Sequence, residues 1–431
     1  MKRQGYIIER VCTTENLLRA FHNAQKGKSG RTEVESYRKN LFENIEILRI
    51  QLKQGNVPVG NYHSFEIYDP KRRTICAASF NERVLHHALM NICQDRFEKS
   101  WIEDSYSARN GKGTYAALNK ARFYFLKHRY VAKLDVRKYF DNIDHQVLIN
   151  QLERLFKDRR LLKVFGSIIE SYNILPGKGI PIGNLTSQYF ANHYLNTADH
   201  YIKEILQVKG YVRYMDDMLL FNDNRDVLVE KVHKLQNFLT DKLKIELKPP
   251  IINETTTATS FLGYRIKRHQ VLLTSRSRRR FEKKYKSYQK EFYHSNIGEA
   301  EFNKRMTSLV VFTQYAYSKK CRQRIIKKVE SQWDPTASTE VAAGTTASRT
   351  VRYPTATTTR PPTTTTTSAS ASPSSLTGMN PDGFNHIEQT FVPNEYIQKE
   401  QTCICQQSME LVGPCVNGIE NPLLFYPEFN S

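Results

Sequence analysis

Apolar side chains recur at helical spacing along much of the chain. Between residues 32 and 53 they stand three or four positions apart, which predicts one continuous amphipathic helix. The same spacing predicts further helices at residues 82–97, after a capping Asp144, at 184–205, around 228–239 and over the basic segment 276–292.

Shorter apolar runs predict β-strands. Residues 130–134 lead into Asp135, and residues 212–215 and 218–221 flank Asp216-Asp217 in a pattern that suits a tight β-hairpin. Further extended segments are predicted at residues 261–266, at 271–274 and at 64–79, the last broken by a turn at Asp69-Pro70. Because strands and helices interleave, the pattern indicates a mixed fold, α/β or α+β.

The C-terminal quarter has a different composition. Residues 334–377 consist mainly of Thr, Ser, Ala and Pro with few large apolar side chains, so we expect a disordered linker. Residues 378–431 contain scattered aromatic residues and are expected to be poorly ordered. Cys403, Cys405 and Cys415 lack paired zinc-ligand spacing, so they are expected to be reduced thiols rather than a metal site.

Charge divides the chain at the same point. Residues 1–333 hold 60 Lys/Arg against 34 Asp/Glu, whereas residues 334–431 hold 4 against 9. The strongly basic part predicts a polyanionic partner and is expected to end near Trp333. No apolar run approaches the roughly 18 residues of a membrane helix. The N-terminus lacks the apolar stretch of a secretory signal, so a cytoplasmic protein is expected.

Three aspartates are the candidate metal ligands. Asp216 and Asp217 stand at the predicted hairpin turn, and Asp135 follows a buried-looking strand. Carboxylates that converge from different strands can hold two Mg²⁺ or Mn²⁺ ions, which is the arrangement that phosphoryl and nucleotidyl transfer requires. Either motif alone is equally consistent with an ordinary polar turn, but the two together favour the metal site.

These motifs resemble those of reverse transcriptases. The YMDD at residues 214–217 and the LDVRKYFDNIDH at 134–145 are similar to the two aspartate-bearing motifs of that family, and the resemblance extends over about residues 16–328. It implies an α+β right-hand polymerase. The implied parts are an N-terminal helical extension (1–63), fingers (64–128), a palm (129–265) with a fingers insertion at about 145–185, and a short helical thumb (266–333).

The resemblance also implies roles for individual residues. Asp135, Asp216 and Asp217 would bind the metals together with the Val136 carbonyl. The incoming nucleotide would be bound by Arg73, Arg83, Phe140, Ile182 and Gln188, where Phe140 excludes a ribose 2′-hydroxyl. Primer and template would be contacted by Tyr214, Met215, Gly263, Tyr264, Arg278, Arg279 and Lys283. For Phe140 the alternative is a core aromatic residue, and for each arginine a solvated basic loop.

Within the family, the loop before the predicted helix at 184 resembles that of diversity-generating retroelement enzymes. Ile182 stands where group II intron enzymes usually carry glutamine, and Gln188 where they carry proline. Isoleucine lacks the amide that would hydrogen-bond near the nucleotide sugar, so lower selectivity is expected. The alternative is a neutral packing variant. The resemblance implies misincorporation opposite template adenine, a template-repeat RNA partner and a small basic ring-forming accessory protein.

Other interpretations remain open on the sequence. The chain could be a phage-defence or group II-like reverse transcriptase without a mutagenic role, or a non-catalytic RNA-binding scaffold. Three retained aspartates argue against the scaffold. The threonine-rich tract at about 340–372 could also be a template repeat read out of frame, since shifted ACA or ACC codons read as AAC.

Overall fold

The computed structural model describes residues 5–68 and 72–331. The predicted Asp69-Pro70 turn, the linker and tail from residue 334 onwards, their cysteines and the out-of-frame tract all lie outside the described residues. Within the described ranges, no helix is long and apolar enough to cross a membrane.

Helices make up most of the described residues. In chain order they are α1 (Ile7–Val11), α2 (Thr14–Gln25), α3 (Thr32–Lys39), α4 (Leu41–Gln54), α5 (Phe80–Ser100), α6 (Thr114–Lys127), α7 (Tyr139–Asn142), α8 (His145–Leu155), α9 (Arg159–Glu170), α10 (Leu185–Tyr194), α11 (Asn196–His200), α12 (Arg225–Leu243), α13 (Ser275–Tyr293), α14 (Glu299–Gln314) and α15 (Lys319–Glu330). A π-helical turn, Tyr201–Ile205, follows α11.

The strands form three antiparallel sheets in the described part of the chain. They are β1 (Tyr62–Ile67), β2 (Arg73–Ala78), β3 (Tyr130–Asp135), β4 (Gly210–Tyr214), β5 (Asp217–Asn222), β6 (Ile251–Glu254), β7 (Thr259–Phe261), β8 (Tyr264–Lys267) and β9 (Gln270–Leu273). The sheet orders are β1-β2, β4-β5-β3-β6 and β7-β8-β9. The mixed α+β class predicted from the sequence is confirmed.

In the four-stranded sheet, which corresponds to the predicted palm, strands β3, β4 and β5 are buried on both faces, whereas β6 is partly exposed. Along β5, Leu220 joins a core that includes Leu235 of α12, whereas Leu219 joins a second core with Leu118 and Phe125 of α6. Because successive side chains in a strand point to opposite faces, an unbroken apolar strand is the pattern that this double burial requires. These strands therefore form a rigid support, and Lys133 and the buried Arg213 are the charged residues that lie inside them.

One helical prediction needs correction. The segment 32–53 is two helices, because Asn40 has a non-helical backbone (φ −115°, ψ 39°) between α3 and α4. The break lets Tyr37 and Ile45 both enter the main core. The helix predicted at 184–205 is present as three consecutive helical pieces, α10, α11 and the π-helical turn, and Leu195 between the first two keeps a helical backbone (φ −80°, ψ −6°). The predicted cap of α8 is confirmed, since Asp144 Oδ1 accepts from Val147 N at 3.0 Å.

The prediction of one strand at residues 261–266 is also wrong. Phe261 pairs with Tyr264 across a two-residue turn in which Leu262 (φ 49°) and Gly263 (φ 85°) are both left-handed. Two consecutive positive φ values give a type I′ hairpin, which the apolar run conceals. Beyond this sheet, α13, α14 and α15 pack around a small core of their own, with Phe281, Tyr285 and Phe302 among its members.

Candidate active site

A two-residue turn carries the paired aspartates. Tyr214 pairs with Asp217 across the β4–β5 hairpin, so Met215 and Asp216 form the turn. Met215 is left-handed (φ 55°) and largely buried. A non-glycine residue seldom adopts this conformation, so the surrounding structure must hold the turn in place.

The third aspartate lies beside this turn. In the register of β3 and β5, Asp135 is directly opposite Asp217. The sheet therefore brings Asp135, Asp216 and Asp217 to one end of the palm, as the sequence analysis expected. Residues 81 positions apart in sequence meet here because β3 and β5 are adjacent strands of one sheet.

The pKa values of both aspartates at the turn are raised. Burial raises the pKa of Asp217 to about 7; the Lys133 charge opposes this shift, and the neighbouring Asp216 and Asp135 add to it. Burial, followed by the charge of Asp135, also raises the pKa of Asp216. Like charges that are crowded out of water disfavour ionisation unless a cation neutralises them.

Two lysines that the sequence analysis missed contact these carboxylates. Lys133 Nζ lies 3.5 Å from Asp217 Oδ1, and Lys248 Nζ forms an ion pair with Asp135 Oδ1. Lys133 could have been found, because it stands two residues before Asp135 on a strand and so shares its face. Lys248 could not, since only the contact between the chain after α12 and the end of β3 brings it near.

The oxygen donors suit a hard divalent cation. Asp217 Oδ1 is buried, and among the described residues it has no hydrogen-bond partner closer than the Lys133 ammonium 3.5 Å away. The backbone on either side of Val136 is hydrogen-bonded: Lys248 N donates to Asp135 O, and Arg137 N donates to Glu246 O. Neither of these bonds uses the Val136 carbonyl. No group of three or more His, Cys, Asp or Glu side chains in residues 5–68 and 72–331 is already arranged as a metal cage. The carboxylates fit an ion by chemistry, while two of them are engaged by lysines.

Two of the predicted nucleotide-binding residues, Phe140 and Ile182, are linked through a loop at residues 177–183. Ile180 N donates to Phe140 O at 3.0 Å, and Cys76 N on β2 donates to Ile182 O at 2.8 Å. A Cβ at Gly183 would meet Ile75 Cγ2 at 2.8 Å, so glycine permits this close approach. The loop therefore joins the Phe140 segment to the β1–β2 hairpin. Phe140, Ile182 and Gln188 are all half-buried.

The two predicted arginines are placed differently. Arg73, at the start of β2, is exposed, and its charge lowers the pKa of Asp216, in opposition to burial and Asp135. Arg83 forms an ion pair with Glu33 of α3, and its guanidinium lies 5.4 Å from the centre of the Phe80 ring. Arg73 thus lies within electrostatic range of the carboxylates, whereas Arg83 is engaged by the N-terminal helices.

The predicted primer and template residues fall into two groups. Tyr214 is half-buried at the turn and accepts a hydrogen bond from Thr114 Oγ1 at 3.3 Å. Arg278, Arg279 and Lys283 are exposed on α13. Tyr264 is 0% exposed and donates its hydroxyl to Phe312 O at 2.7 Å. Its side chain therefore packs inside the protein, and the expected direct contact of this side chain with nucleic acid is corrected.

Gly263 lies at the base of α13 in the type I′ turn. Its carbonyl accepts from Ser277 Oγ at 2.7 Å, and an added Cβ would meet Ser277 Oγ at 3.3 Å. The turn is therefore pinned to the first turn of α13. It connects the β7–β8 hairpin to the basic helix.

Comparison with known proteins identifies the class of this domain. Residues 68–266 match the family described as reverse transcriptase (RNA-dependent DNA polymerase). Protein YkfC of Escherichia coli (strain K12) is 21% identical over 288 residues, covering 54% of this chain and 75% of that protein. The group II intron-encoded protein LtrA of Lactococcus lactis subsp. cremoris is 23% identical over 172 residues, covering 38% of this chain and 29% of that protein.

Solved structures give a weaker likeness. Apo telomerase from Candida tropicalis aligns with a TM-score of 0.41 and 12% identity, covering 66% of this chain and 68% of that chain. The chain spans three quarters of YkfC but less than a third of LtrA.

Proposed function

We propose that residues 68–266, which match the reverse transcriptase family and have group II intron-type relatives, are the catalytic unit of an RNA-directed DNA polymerase. From this premise we propose that the chain copies a template-repeat RNA into cDNA with errors concentrated opposite template adenine, so that a target gene is diversified. The polymerase part rests chiefly on one observation, the register that sets Asp135 opposite Asp217 beside Asp216.

In this proposal Asp135, Asp216, Asp217 and the Val136 carbonyl hold two Mg²⁺ or Mn²⁺ ions. The ions would neutralise the charge that develops on the attacking and leaving oxygens. The support is the buried Asp217 Oδ1, which has no partner closer than Lys133 at 3.5 Å among the described residues, and the burial-raised pKa values of Asp216 and Asp217. Lys133 and Lys248 would release the carboxylates when the ions bind.

The mutagenic part rests on the loop at residues 177–183. The Ile182 carbonyl accepts a hydrogen bond from Cys76 N of the β1–β2 hairpin, and the half-buried apolar side chain of Ile182 has no hydrogen-bond donor to offer. A nucleotide with fewer hydrogen bonds to the protein is held in a less defined pose, which lowers the energy difference between correct and incorrect pairs. Phe140 would exclude the ribose 2′-hydroxyl, and Arg73 would bind triphosphate oxygens.

The partners follow from the same reaction. They are template RNA, primer, cDNA and dNTPs, with a small basic ring-forming accessory protein proposed from the family resemblance alone. The exposed cations Arg278, Arg279 and Lys283 on α13 suit phosphate contacts without sequence preference.

Primer extension tests the proposal directly. Purified chain, Mg²⁺, dNTPs and an RNA template are incubated with and without the accessory protein and template-repeat RNA, and the product is sequenced. Errors concentrated opposite adenine support the whole proposal. Accurate cDNA leaves the polymerase and removes the mutagenic role.

A group II-like or phage-defence reverse transcriptase is the second candidate, because LtrA is a group II intron-encoded protein. It predicts cDNA with errors spread evenly over the four template bases. A complete absence of cDNA, even with both partners present and with RNA binding intact, would favour the non-catalytic scaffold instead.

A further inference from the structure

A fully buried arginine lies directly beneath the carboxylate turn. Arg213 on β4 is 0% exposed, its Nε lies 2.7 Å from Asp199 Oδ1, and its Nη1 lies 2.7 Å from Asn192 Oδ1. Asp199 and Asn192 are themselves buried. Because a buried guanidinium is costly unless it is paired and hydrogen-bonded, the site is built around this side chain.

The pairing keeps Arg213 charged. Burial acts to lower the pKa of Arg213, but the charge and hydrogen bond of Asp199 outweigh it and hold the pKa above its usual value. Tyr211 donates to the same Asp199 oxygen at 2.7 Å. Asp199 of α11 therefore anchors Tyr211 and Arg213, which lie on the same face of β4.

The backbone of Arg213 is fixed as well. Arg213 N donates to Asp104 O and Tyr106 N donates to Arg213 O, each at 2.9 Å. The chain between α5 and α6 thus runs alongside β4, and Ser105 forms a parallel bridge with Arg213. Asn192 adds a further tie, since its Nδ2 donates to Ser107 O at 2.9 Å.

From this fixed position the guanidinium reaches the turn. Arg213 Nη1 donates to Met215 O at 3.1 Å. That carbonyl belongs to the peptide that leads into Asp216, and Met215 is the left-handed residue of the turn. A hydrogen bond to this carbonyl holds the peptide plane and so limits where the Asp216 carboxylate can point.

We propose that Arg213, held by Asp199 and Asn192, is a positioning residue that fixes the Met215 carbonyl and thereby aims the Asp216 carboxylate. The expected effect on kcat and on the Mg²⁺ requirement rests on the proposed polymerase function. The expected effect on hydrogen exchange at the turn does not rest on that function, because the turn is held whether or not substrate is present.

The experiment compares Arg213→Lys with Tyr211→Phe. Lysine keeps a charge for Asp199 but cannot bind Asp199, Asn192 and Met215 O together. Tyr211→Phe removes one buried hydrogen bond to the same Asp199 oxygen without touching the turn, so it controls for general loss of the network. Hydrogen–deuterium exchange of the peptide spanning 214–218 is measured without substrate, and primer extension is measured over a Mg²⁺ titration.

We expect exchange in the 214–218 peptide of Arg213→Lys to rise at least about tenfold, and only there in the palm sheet. We expect kcat to fall on the order of 10- to 100-fold, with a raised Mg²⁺ requirement and a dNTP KM within about threefold of wild type. Tyr211→Phe should leave exchange at the turn and the Mg²⁺ requirement unchanged.

Unchanged exchange at the turn in a folded Arg213→Lys protein would overturn the proposal. Equal effects of Arg213→Lys and Tyr211→Phe would also overturn it, since the role would then be general stability. If the chain lacks polymerase activity altogether, the hydrogen-exchange result still tests whether Arg213 holds the turn. Should Arg213→Lys fail to fold, Asp199→Asn tests the same unit, because the amide keeps an acceptor but removes the charge that fixes the guanidinium. Increased exchange at the turn is expected there too, and unchanged exchange contradicts the proposal.

Discussion

In the proposed function, the palm sheet and the thumb helices would bind the same substrate by opposite means. At the β4–β5 turn, carboxylates are set on strands buried on both faces and are supported by a buried arginine. On α13, exposed cations project from helices around a small core that includes Phe281, Tyr285 and Phe302. Chemistry requires oxygen atoms at fixed positions, so it needs rigid burial. Holding phosphates needs only charge at approximate positions, so mobile exposed side chains suffice.

The largest expected effect is a loss of DNA synthesis from a substitution in the palm alone. Asp216→Ala removes a carboxylate from the turn and is expected to lower DNA synthesis by at least about 10³-fold, because fewer ligands remain to hold the ions. Affinity for RNA measured by fluorescence anisotropy should stay unchanged, since the thumb cations are intact. Asp241→Ala, which removes an exposed carboxylate from α12, is the matched control. Substantial synthesis by Asp216→Ala would contradict the assignment.

The next largest expected effect is a loss of local stability in the thumb alone. Phe281→Ala empties part of the small core around α13 and is expected to cost about 3–5 kcal/mol of local stability. Hydrogen–deuterium exchange should rise throughout α13, α14 and α15 while β3 and β5 stay protected. Tyr293→Ala, at an exposed position of the same helix, should change exchange little. Exchange that rises equally in the palm would show that the two regions unfold together.

A smaller effect separates binding from chemistry. Replacing Arg278 and Arg279 by alanine should raise the KM for primer–template and reduce the salt slope of binding by about 0.9 for each phosphate that is no longer neutralised, with kcat unchanged. The control replaces Lys231 and Lys242 of α12, which leaves the thumb charge intact. Binding isotherms at several salt concentrations measure the slope. An equal reduction of the slope in the control would mean that net charge alone governs binding.

The smallest effect on rate concerns the loop that joins the palm to the β1–β2 hairpin. Ile182→Gln adds an amide and is expected to lower errors opposite adenine roughly 2- to 10-fold, the size of one hydrogen bond, with little change in kcat. Sequencing of the extension products measures this, with Ile182→Val as the control without a donor. An unchanged error spectrum would make Ile182 a packing residue.

Some predictions from the sequence needed no tertiary information. The helices at Arg225–Leu243 and Ser275–Tyr293 follow from spacing, since a single stripe of apolar residues faces one core in each. The hairpin around Met215 and Asp216 follows from two short apolar arms on either side of paired aspartates. The hairpin within residues 259–267 was missed, because Leu262 adopts a left-handed turn that an apolar residue rarely enters.

In the candidate site, too, some residues could be identified from the sequence and others could not. The three aspartates could be chosen from the sequence because their chemistry and order are local motifs, and the structure brings them together. The role of Tyr264 was misjudged, because only the packing of α14 against β8 buries its side chain. Arg83 was grouped with Arg73, but its partner Glu33 lies 50 residues earlier in the chain, so no local pattern could pair them.

By itself, the sequence determined the type of fold, the basic character of the chain and the choice of candidate carboxylates, because periodicity, composition and short motifs are properties of neighbouring residues. Tertiary structure alone decided that Lys133 and Lys248 reach those carboxylates and that Arg213 supports their turn. An arginine within an apolar strand signals an unusual environment but does not name its partners. Those partners come from α10 and α11, and long-range packing sets them at hydrogen-bonding distance.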